Sequence, residues 1–184
     1  MAIWNVLNHT LYTGNANYQE WSSISQDYQH LCVRGLVRNT QSTIGTTRYY
    51  QIQVGNSSVS TSASDYSYTI FFEGGASVSA SSTASGSNGH IQAYYMNNDG
   101  SPSDAFGIFE MWIFDYSSTS KKKQIGVTYA QNTGTSTTNY ERGEGMSSGN
   151  YLSTSAIDVI RINPSADQFM TGTDFTLYGV NGAD

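Results

Sequence analysis

Along several short stretches of this chain apolar and polar residues alternate with a period of two, the spacing that turns one side of a β-strand toward a core. The clearest is Arg48 to Val54, where Tyr50, Ile52 and Val54 alternate with Gln51 and Gln53. Tyr66 to Phe72 puts Tyr66, Tyr68, Ile70 and Phe72 in one phase, and Ser155 to Asn163 sets Ile157 and Val159 against Asp158. Further strands are predicted over Tyr28 to Arg38, His90 to Met96, Gln124 to Ala130 and Asp174 to Val180, the last with Phe175, Leu177 and Val180 as core candidates. Ala105 to Tyr116 is apolar almost throughout. Its length, aromatic content and flanking turns predict a strand buried on both faces.

The connections read less sharply. Ala76 to Gly89 is low in complexity, and its small polar residues predict a mobile loop or an exposed strand pair. Asn132 to Gly149 reads as a long Thr- and Gly-rich connection. Tyr18, Trp21, Ile24, Tyr28 and Leu31 recur at helical spacing, but Ser22, Ser23, Ser25 and Asp27 between them are poor helix formers, so a loop leading into a strand is expected. The pattern from Met1 to Asn17 is weak and reads as an arm or edge strand. Together these elements predict an all-β chain: an antiparallel β-sandwich, jelly-roll-like, of about eight strands. It forms a single domain over residues 24–184, preceded by an N-terminal arm or edge segment over 1–23.

Composition sharpens this picture. The 184 residues fit one domain. Only 12% are charged, about half the usual share, and 27 Ser with 19 Thr fill one position in four. Scarce Glu, Lys and Ala exclude a helical bundle, while 24 aromatic residues are too much apolar mass for a disordered chain. A net charge of −6 argues against a nucleic-acid surface. The lone Cys32 excludes an intrachain disulfide. Met1 to Gly14 has neither a basic n-region nor a long apolar run, so no signal peptide is expected, and no segment has the length of a membrane span.

Candidate chemistry is sparse. His9, His30 and His90 have no metal-ligand spacing, so no metal site and no cofactor is expected, and His30, beside Leu31, is assigned a structural role. Glu110 and Asp115 differ by an odd number, which on a regular strand points them to opposite faces and denies them the convergence a glycosidase needs. Glu141 and Glu144 sit in a Gly-rich stretch. Gly143 to Gly149 lacks the Lys and the helix of a phosphate loop. Lys121, Lys122 and Lys123, all the lysines of the protein, fall in one turn and read as a solvated hairpin tip rather than a docking site for an acidic surface. No catalytic residue is assigned, and the chain is not expected to be an enzyme. The apolar residues of the N-terminal segment, Ile3, Trp4, Val6, Leu7 and Trp21, are the expected assembly contacts.

Five motifs in order carry a resemblance over about 155 residues. They are Ile24, Tyr28, His30, Leu31, Val33 and Arg34; Tyr66 to Tyr68; FGIFEMWIFDY with SSTSKKK; Thr154 to Ile157; and Phe175 to Val180. This series resembles a β-sandwich module recurrent in virion structural proteins of tailed bacteriophages. Ser25, where the module often has Pro, and Leu152, where it has an aromatic, depart from it. The resemblance implies a non-catalytic structural protein: a capsid decoration or cement protein, with a tail-fibre or receptor-binding domain touching host glycans as the alternative and a carbohydrate-active enzyme further off. It implies a homo-oligomer, a trimer, bound to the major capsid protein or other virion proteins. Its location would be the virion, after synthesis in the host cytoplasm.

Overall fold

The computed structural model describes residues 3–41, 49–74, 77–84, 87–94, 104–132 and 142–181. Thirteen strands run through them. In chain order they are β1 (Ile3–Leu11), β2 (Gln19–Trp21), β3 (His30–Val37), β4 (Tyr49–Asn56), β5 (Ser58–Val59), β6 (Tyr66–Gly74), β7 (Ser77–Thr83), β8 (Ile91–Tyr94), β9 (Gly107–Ile113), β10 (Lys123–Asn132), β11 (Arg142–Tyr151), β12 (Val159–Pro164) and β13 (Asp174–Asn181). All pair antiparallel. The large sheet has eight strands in the order β1-β13-β3-β9-β10-β11-β6-β7, and the small sheet has the order β2-β12-β4-β5 with β8 also on β4.

Packed face to face, the sheets form the β-sandwich that the alternation predicts. Tyr50 of the small sheet meets Phe109 of the large one at 4.8 Å between ring centroids, and Trp21 meets Phe175 at 6.2 Å. Tyr66 ties the sheets together: its hydroxyl accepts the Val54 N–H at 3.0 Å and faces the carbonyls of Val54 and Ser60. Such a buried phenol is satisfied in place, which fixes the register of the two layers.

All eight strands expected from the sequence are present; β1 and β7 take the strand alternatives of the two segments read as an arm or edge strand and as a mobile loop or exposed strand pair, and β2, β5 and β11 are added. The correction at β11 is the largest, because residues 142–149 were expected in a connection. Its core-facing positions include Gly145 and Gly149, where a Cβ would lie 2.4 Å from the Phe71 carbonyl oxygen and 2.5 Å from Ile91 Cδ1 respectively. Tyr129 and Ile91 fill the space that side chains of β11 would otherwise take. A strand whose inner residues are glycine shows no apolar period to read. β7 pairs with β6 along the opposite edge from β1.

A second correction concerns β9. Phe109, Met111 and Ile113 are buried, but Ile108 is 57% exposed, and Glu110 and Trp112 are half-buried. Among the described residues the strand is covered on one face only. The small sheet covers the inner face of the large one, and no described strand of the chain lies on its outer face.

Candidate interaction surface

Residues paired across neighbouring strands share a face, so the register assigns the outer face of the large sheet in four cross-strand rows. At one end Leu11, Leu36 and Ile108 share a row with Asp174, Glu144 and Glu73. The next contains His9, Thr176, Arg34, Glu110, Met146 and Phe71. Then come Val6, Tyr178, Cys32 and Trp112, followed by Gly126 and Ser148. The last row holds Trp4, Val180 and His30, with Phe114, Gln124 and Asn150 at the β9–β10 end. Among the described residues ten large apolar side chains are exposed; eight of them, Trp4, Val6, Leu11, Leu36, Phe71, Ile108, Phe114 and Met146, lie on this one face.

The polar groups of the face are tied to one another. Arg34 Nε donates to Glu110 at 2.7 Å, Trp112 Nε1 donates to the other Glu110 oxygen at 2.9 Å, and the Arg34 guanidinium lies 4.8 Å from the Trp4 ring. Trp4 meets Trp112 edge-on at 5.1 Å and Tyr178 at 5.6 Å, and Phe114 stacks on Trp112 at 6.0 Å. Beneath them Cys32 is buried, and burial pushes its thiol up to about 12, which keeps it protonated and unreactive at neutral pH. A shallow groove of about 410 Å³ opens between Arg34, Leu36, Ile108, Asp174 and Tyr178. A hollow of about 310 Å³ opens at the other end, bounded by Phe114, Lys121, Lys122, Gln124 and Asn150.

The expected assembly residues divide between this face and the core. Trp4 and Val6 lie on the outer face, Ile3 is exposed at the start of the edge strand, Leu7 is half-buried against the core, and Trp21 is buried with its Nε1 donating to Asn8 Oδ1 at 3.1 Å. Leu11, Leu36, Ile108, Phe71 and Met146 were not singled out. Phe71 had a legible signal, since it falls between Ile70 and Phe72 in the polar phase of its strand.

The other candidates are engaged. Glu110 is held by Arg34. Asp115 lies beyond the end of β9 at φ +49°, so strand parity does not govern it; it accepts from Lys121 Nζ at 2.8 Å, and that bond holds its carboxyl below the usual range. Glu144 stands exposed on β11, directly opposite Glu73, and Glu141 is outside the described residues. His30 Nδ1 accepts the Asp115 N–H at 3.1 Å, a structural role, while His9 bonds Thr176 and His90 bonds Gln92. No group of three ligating side chains occurs among the described residues.

The lysine turn corrects the sequence reading in one respect. Lys121 and Lys122 are exposed, but Lys123 is wholly buried, and its ammonium donates to the carbonyls of Ser118 at 2.6 Å, Lys121 at 2.7 Å and Thr154 at 2.9 Å. Burial lowers its pKa, and Asp115 opposes that shift. It pins the β9–β10 turn and the segment after β11 to the end of the sandwich.

No family model matches this chain, and no curated protein matches its sequence. Among solved structures, lectin I-B4 from Griffonia simplicifolia in its metal-free form is similar at 8% identity with a TM-score of 0.17, over 96% of this chain and 92% of that one. A likeness that small carries no argument about fold or function.

Proposed function

We propose that this chain is a non-catalytic structural protein of a tailed-phage virion, a decoration protein of the head that is built into the particle as a homo-oligomer. The observation that carries the assembly part is the outer face of the large sheet, with eight exposed large apolar side chains on one side of one molecule. Soluble monomers rarely expose such a contiguous set, and it marks a contact surface. The phage attribution rests on the resemblance carried by the motifs from Ile24 to Val180. The face is broad and shallow rather than a deep cleft, which suits a subunit contact better than capture of a small substrate.

The test is reconstitution. Particles lacking the chain are mixed with purified protein and sedimented, with host cells and a glycan array probed in parallel. Saturable co-sedimentation with particles, without cell or glycan binding, is the expected result. Binding to cells or glycans with none to particles refutes a decoration role and supports the receptor-binding alternative.

A further inference from the structure

We propose that the outer face of the large sheet is covered by a second copy of this chain, packed face to face about a two-fold axis running across the strands. The proposal rests on the assembly reading above and adds the partner and its orientation. Three observations lead to it.

First, β9 has the sequence of a strand covered on both sides, yet the described residues supply one cover. Ile108, Trp112 and Phe114 are the residues that a second layer would bury. Second, the size is right. Eight strands about 4.8 Å apart and four rows about 6.8 Å apart make a face of roughly 34 by 20 Å, about 700 Å² per copy. Two copies together bury roughly 1,400 Å², within the range of about 1,200–2,000 Å² of stable specific interfaces.

Third, the charges choose the axis. One end row carries Asp174, Glu144 and Glu73, with the two glutamates directly opposite each other on β11 and β6, a repulsive arrangement. Beyond the opposite end row stand Lys121 and Lys122, beside Asp115, Gln124 and Asn150; Lys121 is paired with Asp115 at 2.8 Å, which leaves the charge of Lys122 to face a partner. A two-fold axis along the strands would set acidic row against acidic row. The axis across the strands sets the acidic row of each copy against the lysine end of the other, with Lys122 approaching Glu144 on the partner. The same operation lays Ile108 over Phe114 of the second copy, and Leu11 over Trp4, so the exposed apolar residues of the two end rows cover each other. Because the contact is isologous, each pairing occurs twice.

Light scattering and sedimentation on the full chain provide the test, with Lys122→Glu and Glu144→Lys, two exposed substitutions that leave the core untouched. The wild type is expected at about 40 kDa, twice the 20.1 kDa of the chain. Each single variant is expected to dimerise at least tenfold more weakly, since both symmetric contacts turn repulsive. Mixing the two variants restores a 40 kDa species: in the mixed dimer one contact joins the two substituted positions with their charges exchanged, and the other keeps the wild-type pair of Lys122 and Glu144. A trimeric mass, a monomer at all concentrations, or single variants that dimerise like the wild type would each overturn the two-fold pairing. Particle binding, measured separately, would still stand or fall on its own and decide the assembly reading.

Discussion

Replacing Lys123 by Met should destabilise the fold by about 3 kcal/mol without changing its architecture. The substitution keeps the length and the apolar stem of the side chain and removes only the ammonium. Three carbonyl oxygens, those of Ser118, Lys121 and Thr154, then lose their donor. A stranded buried acceptor costs about 1–3 kcal/mol. The lower end applies here, because removing a buried charge recovers part of the desolvation that lowers the lysine pKa. For a chain of this size about 3 kcal/mol corresponds to a fall in Tm of roughly 6–12 °C. Urea melts should show a lower midpoint with an unchanged m-value, since the surface exposed on unfolding is the same. Lys122→Arg, one residue away, exposed and with its charge kept, is the control and should stay within about 0.5 kcal/mol of the wild type. A Lys123→Met protein that loses less than about 1 kcal/mol would show that the three contacts do not hold the turn, and the reasoning would fail.

Other consequences are equally direct. Gly149→Ala should cost about 1–3 kcal/mol in chemical denaturation, because the new methyl meets Ile91 Cδ1 at 2.5 Å; the double change with Ile91→Val should recover part of it, and no recovery would contradict the packing described. Tyr66→Phe strands the Val54 N–H and should lower stability by about 1–2 kcal/mol, with unchanged melts as the contrary result. Burial lowers the pKa of His90, so the folded state binds fewer protons than the unfolded chain just below the ordinary value of 6.5. Stability should therefore fall as pH drops below about 6.5. His90→Gln should flatten that slope in denaturant melts at about pH 7.5 and about pH 5.5, on either side of the ordinary histidine value; an equal slope would assign it to other groups.

The strands that alternate are those whose inner residues do the packing. Tyr50, Ile52 and Val54 of β4, and Phe175 and Leu177 of β13, are fully or almost fully buried, as their period requires. β11 escaped because space-filling runs the other way there: Tyr129 and Ile91 reach across to glycines, so the information for that strand sits in its neighbours. β7 stayed one of two open readings because it is an edge with Ser79, Ala80, Ser81 and Ser82 exposed, where no burial imposes a period. In β1 the register shifts between Val6 and Asn8, and a bulge breaks a period-two pattern at its midpoint. The interaction surface was half legible. Trp4 and Val6 stood out as apolar residues in a weakly patterned segment, while Leu36 and Ile108 passed for core because a one-dimensional pattern does not say how many layers cover a strand, and Met146 fell in a stretch expected to be a connection.

The low charge of the chain has a specific meaning on the outer face. Thr69, Thr128, Ser148 and Thr176 occupy polar positions of the two middle rows, where a typical solvent-facing sheet would carry Lys and Glu. A hydroxyl leaves water at far smaller cost than an ammonium or carboxylate, and it can bond to whatever replaces the water. The ion pair at the centre, Arg34 with Glu110, is already neutralised within the chain and flanked by Trp4 and Trp112. A facing layer would therefore meet a preorganised, charge-compensated group and not two ions in need of new partners. Charge is left at the two ends, where it can orient a partner without being deeply desolvated. Arg34→Ala is then the substitution that separates stability from assembly. The pair is partly exposed, so the isolated fold should lose about 1 kcal/mol or less. Glu110, left without its guanidinium under a facing layer, should weaken association by at least roughly tenfold. Equal association of Arg34→Ala and wild type in concentration-dependent sedimentation would mean that nothing packs over this part of the sheet.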